Sequence, residues 1–422
     1  MASTQKGSGV KGLIVVVISL IGMIVVAELA LQLLQASGFA ERTFKALGQA
    51  KPPLDRKDGP GMYYMHPYNG YRLKPGYVRG DIEKINSLGF RGNEFSLEKP
   101  DDTYRIVVMG GSTTFAVYLP WHESAPYFME RDLRNRFQTD NIEVINGGLT
   151  GSTTAETVHR LISQVLEVDP DMVVIYHGYN DLFPRLFNDW ENDYYHFRDA
   201  DPANPPGMTR FITYRLLLAA LSPGAFHENY DLANLVWKTQ NLPASDTDRM
   251  QNYLDTDNSA FRHNIEAAVQ LLQARGVQPV LATFAADHDI WHWNDHIPPY
   301  LWELGIEEHN DVIRSLAEQY DVPLVPFAES TRGWRPLYND SIHMTNYGNK
   351  FKAMVFDDTI APFVEEKLGK QAGEGVRYSP KAPYESTRAY RLFGNRFKEE
   401  YEADVGGVGG PLTPEPDGYL DR

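Results

Sequence analysis

The stretch "YNDSIHMTNYGNK", Tyr338 to Lys350, carries an aspartate and a histidine three residues apart, Asp340 and His343. On a helix, that spacing of nearly one turn lets both side chains leave the backbone on the same side. Such a pair could be half of a catalytic site, because imidazole takes a proton near neutral pH. It could equally be a polar helix cap, since Asp and Ser ahead of a helix are ordinary N-terminal signals. The catalytic reading requires a nucleophile and an oxyanion hole upstream.

Three stretches offer them. In "VVMGGSTTF", Ser112 follows two glycines, which let the backbone turn sharply and keep the approach to the hydroxyl open. A phosphate loop is excluded there, because neither GxxxxGK[ST] nor GxGxxG occurs; a plain turn with Ser as a cap remains open. In "VINGGLTGSTT", Gly151 could present its N–H to a developing oxyanion, or could form a tight turn capped by Ser152 or Thr153. In "YHGYNDLF", Asn180 is an uncharged donor that suits an oxyanion, although Asn-Asp is also common in turns. His177 adjoins it, either lining a pocket or buried with its own partner. A serine hydroxyl is a poor nucleophile until a base removes its proton. The tetrahedral oxyanion that follows needs preset donors, each worth roughly 3–4 kcal/mol where measured in other enzymes.

The elements that must position these residues are legible as short apolar runs: "YRIVVM", "IEVING", "DMVVIYHG", "VQPVLATF" and "VPLVPF". Continuous apolar runs of this length fit strands buried on both faces of a parallel sheet. Helical patterns separate them. Val158, Leu161, Ile162 and Val165 make one apolar face within 153–167; Phe261, Ile265, Ala268, Val269 and Leu272 make another within 259–275, between Asn258 and Gly276. Strand–helix alternation predicts a three-layer α/β domain with right-handed crossovers. Ser112, Gly151 and Asn180 then stand at or just past the carboxyl ends of successive strands, where open α/β sheets place their ligands.

The ordered set of a glycine-flanked Ser, a Gly, a GxND and a DxxH resembles the SGNH (GDSL-like) hydrolase family over roughly residues 100–368. The resemblance implies a flavodoxin-like fold and a serine esterase needing no cofactor. It implies Ser112 as nucleophile, His343 as base oriented by Asp340, and the Ser112 N–H, Gly151 and Asn180 as oxyanion hole. One departure stands out: where the family reads GDS, this chain reads GGS, with Gly111 in place of the acid. The "NSLGFRG" stretch ahead of the domain is similar to membrane-anchored members of the bacterial envelope.

Composition bounds the rest. A chain of 422 residues with 42% hydrophobic side chains and 12% aromatics has a real core. Its net charge of −16 argues against a nucleic-acid partner. The absence of cysteine excludes disulfides, thiol nucleophiles and thiolate metal sites. Leu13–Leu34 carries a single charge, Glu28, expected to reach toward the interface. At 1.5 Å per residue it spans about 33 Å, enough for a bilayer core. It reads as an uncleaved signal anchor with the large domain outside the cytoplasm. Lys6 and Lys11 before it balance Arg42, Lys45 and Lys51 after it, so the charge rule leaves orientation open.

The expected order is a tail (1–12), an anchor (13–34), an irregular stalk (35–100), a catalytic domain (101–369) and a flexible tail (370–422). An aromatic and acidic insertion, 182–257, interrupts the catalytic domain. Trp190, Tyr194 and Tyr195 in the insertion, with Trp291 and Trp293, suit stacking against sugar rings; packing of the insertion would use them equally well. His288, His292 and His296 would share a helix face fit for zinc, but no helical pattern surrounds them, so a solvated loop is expected and no metal. The substrate expected is an acyl ester of a carbohydrate, by hydrolysis or by transfer to an envelope polysaccharide. A lipid ester and a silent envelope-assembly module are the rivals.

Overall fold

The structure, a computed structural model, describes residues 6–36, 62–66, 69–188, 190–192, 194, 213, 242–287, 299–379 and 383. The chain divides into two units, Met1–Gly61 with Asp199–Leu235, and Met62–Arg198 with Val236–Arg422.

The first unit holds helix α1, Lys6–Ala36. Within it, Val15–Leu34 reaches a mean hydropathy of 2.4 and is long and apolar enough to cross a membrane by length and composition. Val16, Ile24 and Leu33 are among its many exposed apolar side chains. Glu28, the single charge in this stretch, finds its partners within the protein. It is buried, and its carboxylate accepts hydrogen bonds from the N–H (2.8 Å) and hydroxyl (2.9 Å) of Thr213 and from the Gln32 amide (2.9 Å). A carboxylate on an apolar helix is costly unless its oxygens are satisfied in this way.

The second unit opens with two short antiparallel pairs, β1 (Tyr63–His66) with β2 (Gly70–Leu73) and β3 (Val78–Arg79) with β4 (Glu83–Lys84). The stretch expected to be irregular thus contains strands, which patterns of two to four residues are too short to announce. The α/β part follows with β5 (Tyr104–Gly110), α2 (Ser112–Phe115), α3 (Ala125–Phe137), β6 (Ile142–Gly148) and α4 (Thr154–Arg160). Next come β7 (Met172–Tyr176), α5 (Asp246–Asp255), α6 (Ser259–Ala274) and β8 (Gln278–Ala282). The series ends with α7 (Pro299–Gln319), β9 (Leu324–Val325), α8 (Phe327–Thr331) and α9 (Asn346–Leu368).

The five strands pair in parallel in the order β6-β5-β7-β8-β9. All five fall on the apolar runs read from the sequence. Every residue of β5 is buried, as a central strand covered on both faces requires. Its side chains alternate between the two faces. Val107 and Met109 join Val173, Ile175 and Leu281 in one core with Leu161, Phe261, Ile265, Val269, Leu272, Ile313 and Leu316 from α6, α7 and the helical stretch that follows α4. Helices α3 and α9 pack on each other and against β6 and β5 on the other face. This is the three-layer α/β/α arrangement with the flavodoxin-like strand order that the resemblance implies. The helix read over 153–167 is regular only to Arg160, then widens into a π turn at Leu161–Val165 and tightens at Leu166–Val168.

The strand order reverses between β5 and β7: β5 runs out to β6 on one side, and the chain returns to place β7 on the other. Connections therefore diverge from this point, leaving a crevice at the carboxyl ends of β5 and β7. Ser112 and Asn180 lie there.

Candidate active site

Ser112 is the first residue of α2, directly after β5 and Gly111. Its Oγ lies 2.8 Å from His343 Nε2. His343 Nδ1 lies 2.8 Å and 3.0 Å from the two carboxylate oxygens of Asp340. An ionised carboxylate only accepts, so Nδ1 carries the proton and Nε2 turns its lone pair to the serine hydroxyl. Both Asp340 and His343 are buried. Burial pushes the Asp340 carboxyl up. The His343 ring and the N–H groups of Ile342 and His343, which donate to its Oδ1 at 3.0 and 2.8 Å, outweigh that and hold it below its ordinary value of 3.8.

The pair does not stand on a helix. It sits in a tight loop closed by bridging of Tyr338 to Met344, by Asn339 N–H to His343 C=O (2.6 Å) and by the Asn339 amide to Met344 C=O (2.8 Å). The helix cap is Thr345, whose hydroxyl accepts the Gly348 N–H at 3.0 Å at the start of α9. Asp340 bonds to backbone groups two and three residues on, which makes a turn, and this local bonding competes with helix.

Asn180 follows β7 and lines a small pocket beside Ser112, together with Gly111, Thr113, His177, Gly178, Tyr179, Phe284 and Ile342. Its amide nitrogen donates to Ser152 C=O at 2.8 Å. An amide carries two N–H groups, so one remains for a ligand in the pocket. Gly151 occupies the preceding turn at φ 72°, a left-handed conformation that favours glycine. It does not line the pocket itself, but the Asn180–Ser152 bond ties its turn to Asn180, which does. At Gly111, where the family reads Asp, an added Cβ would meet Asn180 Nδ2 at 2.9 Å, so a side chain there would require the amide to shift.

Surrounding groups fix the β7 turn. His177 bonds Thr157 Oγ1 through Nε2 at 2.6 Å, so it is both pocket-lining and internally satisfied. Burial, with help from Arg160, lowers its pKa from 6.5 to about 3, and it is neutral. Asp181 accepts the N–H (2.9 Å) and hydroxyl (2.6 Å) of Thr154 at the start of α4. Tyr179 stacks on Trp302 with centroids 3.6 Å apart. His309 of α7 lies 2.6 Å from Gly178 C=O through Nδ1 and stacks on Phe261 at 4.1 Å. Burial lowers its pKa to about 3. Sequence reading missed His309 and Trp302, because nothing local marks a helix residue as the support of a loop more than a hundred positions away.

Tyr118, also missed, presents its ring edge-on to His343, centroids 5.2 Å apart. It and Ala116 adopt positive φ, 75° and 63°, without being glycine. Such residues cost on the order of 1–3 kcal/mol each and persist only where surrounding contacts hold them. Trp190 packs on Tyr194, centroids 5.6 Å apart, and is not part of the pocket beside Ser112. Tyr195, Trp291, Trp293, His288, His292 and His296 lie outside the described residues. Among the described residues, no cluster of three or more His or carboxylate side chains is arranged to hold a metal.

The profile of the GDSL-like Lipase/Acylhydrolase family matches residues 108–351, more than half of the chain. The chain belongs to this family. Similar solved structures include the lipase/acylhydrolase from Enterococcus faecalis, at 17% identity over 61% of this chain and 95% of that one, TM-score 0.38. Another is an acetylxylan esterase from Geobacillus stearothermophilus, at 15% identity over 67% of this chain and all of that one, TM-score 0.40. A third is a GDSL-like lipase from Bacteroides thetaiotaomicron, at 16% identity over 64% of this chain and 92% of that one, TM-score 0.37. No curated protein matches the sequence.

Proposed function

We propose that this GDSL-family chain is a membrane-anchored serine esterase that removes a short acyl group, acetyl above all, from an envelope carbohydrate. The observation that carries the chemistry is the 2.8 Å approach of Ser112 Oγ to His343 Nε2. In this reading Oγ attacks the ester carbonyl while Nε2 takes its proton. The carbonyl oxygen becomes an oxyanion, held by the Ser112 N–H, the Gly151 N–H and the Asn180 amide. Collapse expels the alcohol, which receives the proton from His343, and leaves an acyl-serine. Water then attacks by the same route, and the carboxylic acid departs. Asp340 holds the ring and stabilises the imidazolium.

A short acyl group is supported by the small pocket beside Ser112, which Thr113, His177, Tyr179, Phe284 and Ile342 close in. Support for carbohydrate as the alcohol is the composition of the insertion and of the stretch with Trp291 and Trp293, rich in aromatic, acidic and amide side chains. Support for anchoring is the apolar stretch Val15–Leu34.

The test compares acetyl, octanoyl and palmitoyl esters of one leaving group, with Ser112→Ala as control. We expect kcat/KM to fall steeply with chain length and the Ser112→Ala enzyme to be inactive and unlabelled by a fluorophosphonate. A rate that rises to palmitoyl would overturn the short-acyl reading in favour of a lipase. Full activity in Ser112→Ala would overturn the serine mechanism. Adding sugar acceptors separates hydrolysis from transfer, since a transferase passes the acyl group to a hydroxyl in preference to water.

A further inference from the structure

We infer that Arg91, from the "NSLGFRG" stretch, is a positioning residue for the Ser112–His343 pair, acting by clamping the loop that runs from Phe115 to Leu119. This rests on the esterase reading above. Arg91 is anchored first through its backbone: its N–H donates to Asn146 C=O at 3.4 Å, and the next N–H, of Gly92, donates to Lys84 C=O at 2.8 Å. The stretch is thereby bridged to the free edge of β6.

The guanidinium is fully buried and makes contacts outside its own segment. Its Nη1 donates to Phe115 C=O and to Ala116 C=O (3.1 Å), and its Nη2 donates to Leu119 C=O (2.6 Å) and Ile82 C=O (3.2 Å). It also lies over the Phe115 ring, 4.1 Å from the centroid, with Glu83 3.7 Å from Nη2. Burial lowers its pKa to about 10, partly offset by Glu83, so it is charged at neutral pH.

Ala116 C=O and Ile82 C=O also accept backbone N–H groups, from Leu119 (3.3 Å) and Trp121 (3.0 Å), whereas for Phe115 C=O and Leu119 C=O the guanidinium is the donor that the loop's own geometry does not supply. Helix α2 is a single turn, and the last carbonyls of a helix have no acceptor role inside it. Ala116 then turns the chain left-handed, and Tyr118 does so again. Two non-glycine residues in that region hold only under external constraint. A planar fork of charge-assisted donors supplies it, and a lysine ammonium cannot reproduce the geometry.

The clamped loop controls both members of the pair. Its leading helix begins with Ser112, and its tip sets the Tyr118 ring against His343. A loosened loop would let Oγ and Nε2 drift apart, while His177, Gly178, Tyr179, Asn180, Phe284 and Ile342 of the pocket lining come from other elements and stay in place.

Arg91→Lys, Tyr118→Gly and the double variant test this, by kcat and KM on an acetyl ester, rate of fluorophosphonate labelling and thermal melting. Tyr118→Gly removes the ring, and glycine accepts its backbone conformation, so this variant keeps the fold even where Arg91→Lys does not. We expect each single change to lower kcat and the labelling rate by about 10- to 100-fold, with KM within about twofold. The double variant should be little worse than the worse single one, because both act on the same contact. Wild-type kcat in Tyr118→Gly, or effects of the two changes that multiply, would overturn the clamp. Wild-type protein that fluorophosphonate fails to label would instead overturn the esterase reading beneath it.

Discussion

At the scale of single residues, the site separates groups that must be charged from groups that must not. Asp340 is buried yet held ionised, because two backbone N–H groups and the His343 ring surround it. In the proposed mechanism Asn180 contributes without charge, and its amide is already oriented by the bond to Ser152. A donor of this kind acts on the oxyanion far more than on the ground-state carbonyl. Asn180→Ala should therefore lower kcat by about 100- to 1,000-fold and leave KM within a few-fold, as for oxyanion donors elsewhere. Steady-state kinetics on an acetyl ester checks it. A large KM increase at unchanged kcat would make Asn180 a ground-state binding residue.

At the scale of elements, the turns after β5 and β7 and the loop ahead of α9 supply the candidate site, and a helix steadies it. The turn after β7 is held from behind by α7, through His309 and Gly178 C=O. His309 is neutral because burial, aided by Arg185, lowers its pKa from 6.5 to about 3. The sign of the linkage follows. The unfolded chain takes up this proton as pH falls through about 6.5, and the folded chain does not until about 3. Stability from His309 is therefore complete above the higher value and lost progressively below it. His309→Gln keeps a donor for Gly178 C=O and removes the titration. Between about pH 6.5 and pH 4 its stability should fall less steeply than wild type, by up to about 1.4 kcal/mol per pH unit. Urea midpoints measured across that range give the slope; equal slopes in the two proteins would mean that His309 is not a buried neutral group. His177 follows the same sign and is unchanged in both.

At the scale of the whole molecule, the parallel sheet gathers residues separated by 231 positions into one hydrogen bond, Ser112 to His343. The membrane question belongs to this scale as well. Helix α1 has the length and hydropathy of a span, and we propose, as the sequence leads one to expect, that the second unit lies outside the cytoplasm. Protease added to intact spheroplasts of a bacterial host should then degrade that unit and leave a cytoplasmic marker whole. Protection until lysis would reverse the orientation.

The sequence by itself determined the strands, because a chain buried on both faces must be apolar at every position, and "YRIVVM" and "DMVVIYHG" can be little else. It also determined the residue types of the candidate site, because glycine beside serine, or asparagine past a buried strand, leaves few alternative chemistries. The reversal of strand order at β5 and β7 was not visible locally, and it is what brings those types together. Tertiary structure alone decided that Asp340 and His343 share a closed loop rather than a helix face, since Asp340 bonds to backbone that helix would otherwise use. It alone assigned Glu28 to Thr213, His309 to Gly178 and Arg91 to the carbonyls of Phe115, Ala116 and Leu119. Each of those contacts joins segments far apart in the chain, and the stabilisation of a buried polar group depends on which partner arrives, which no spacing in a single sequence encodes.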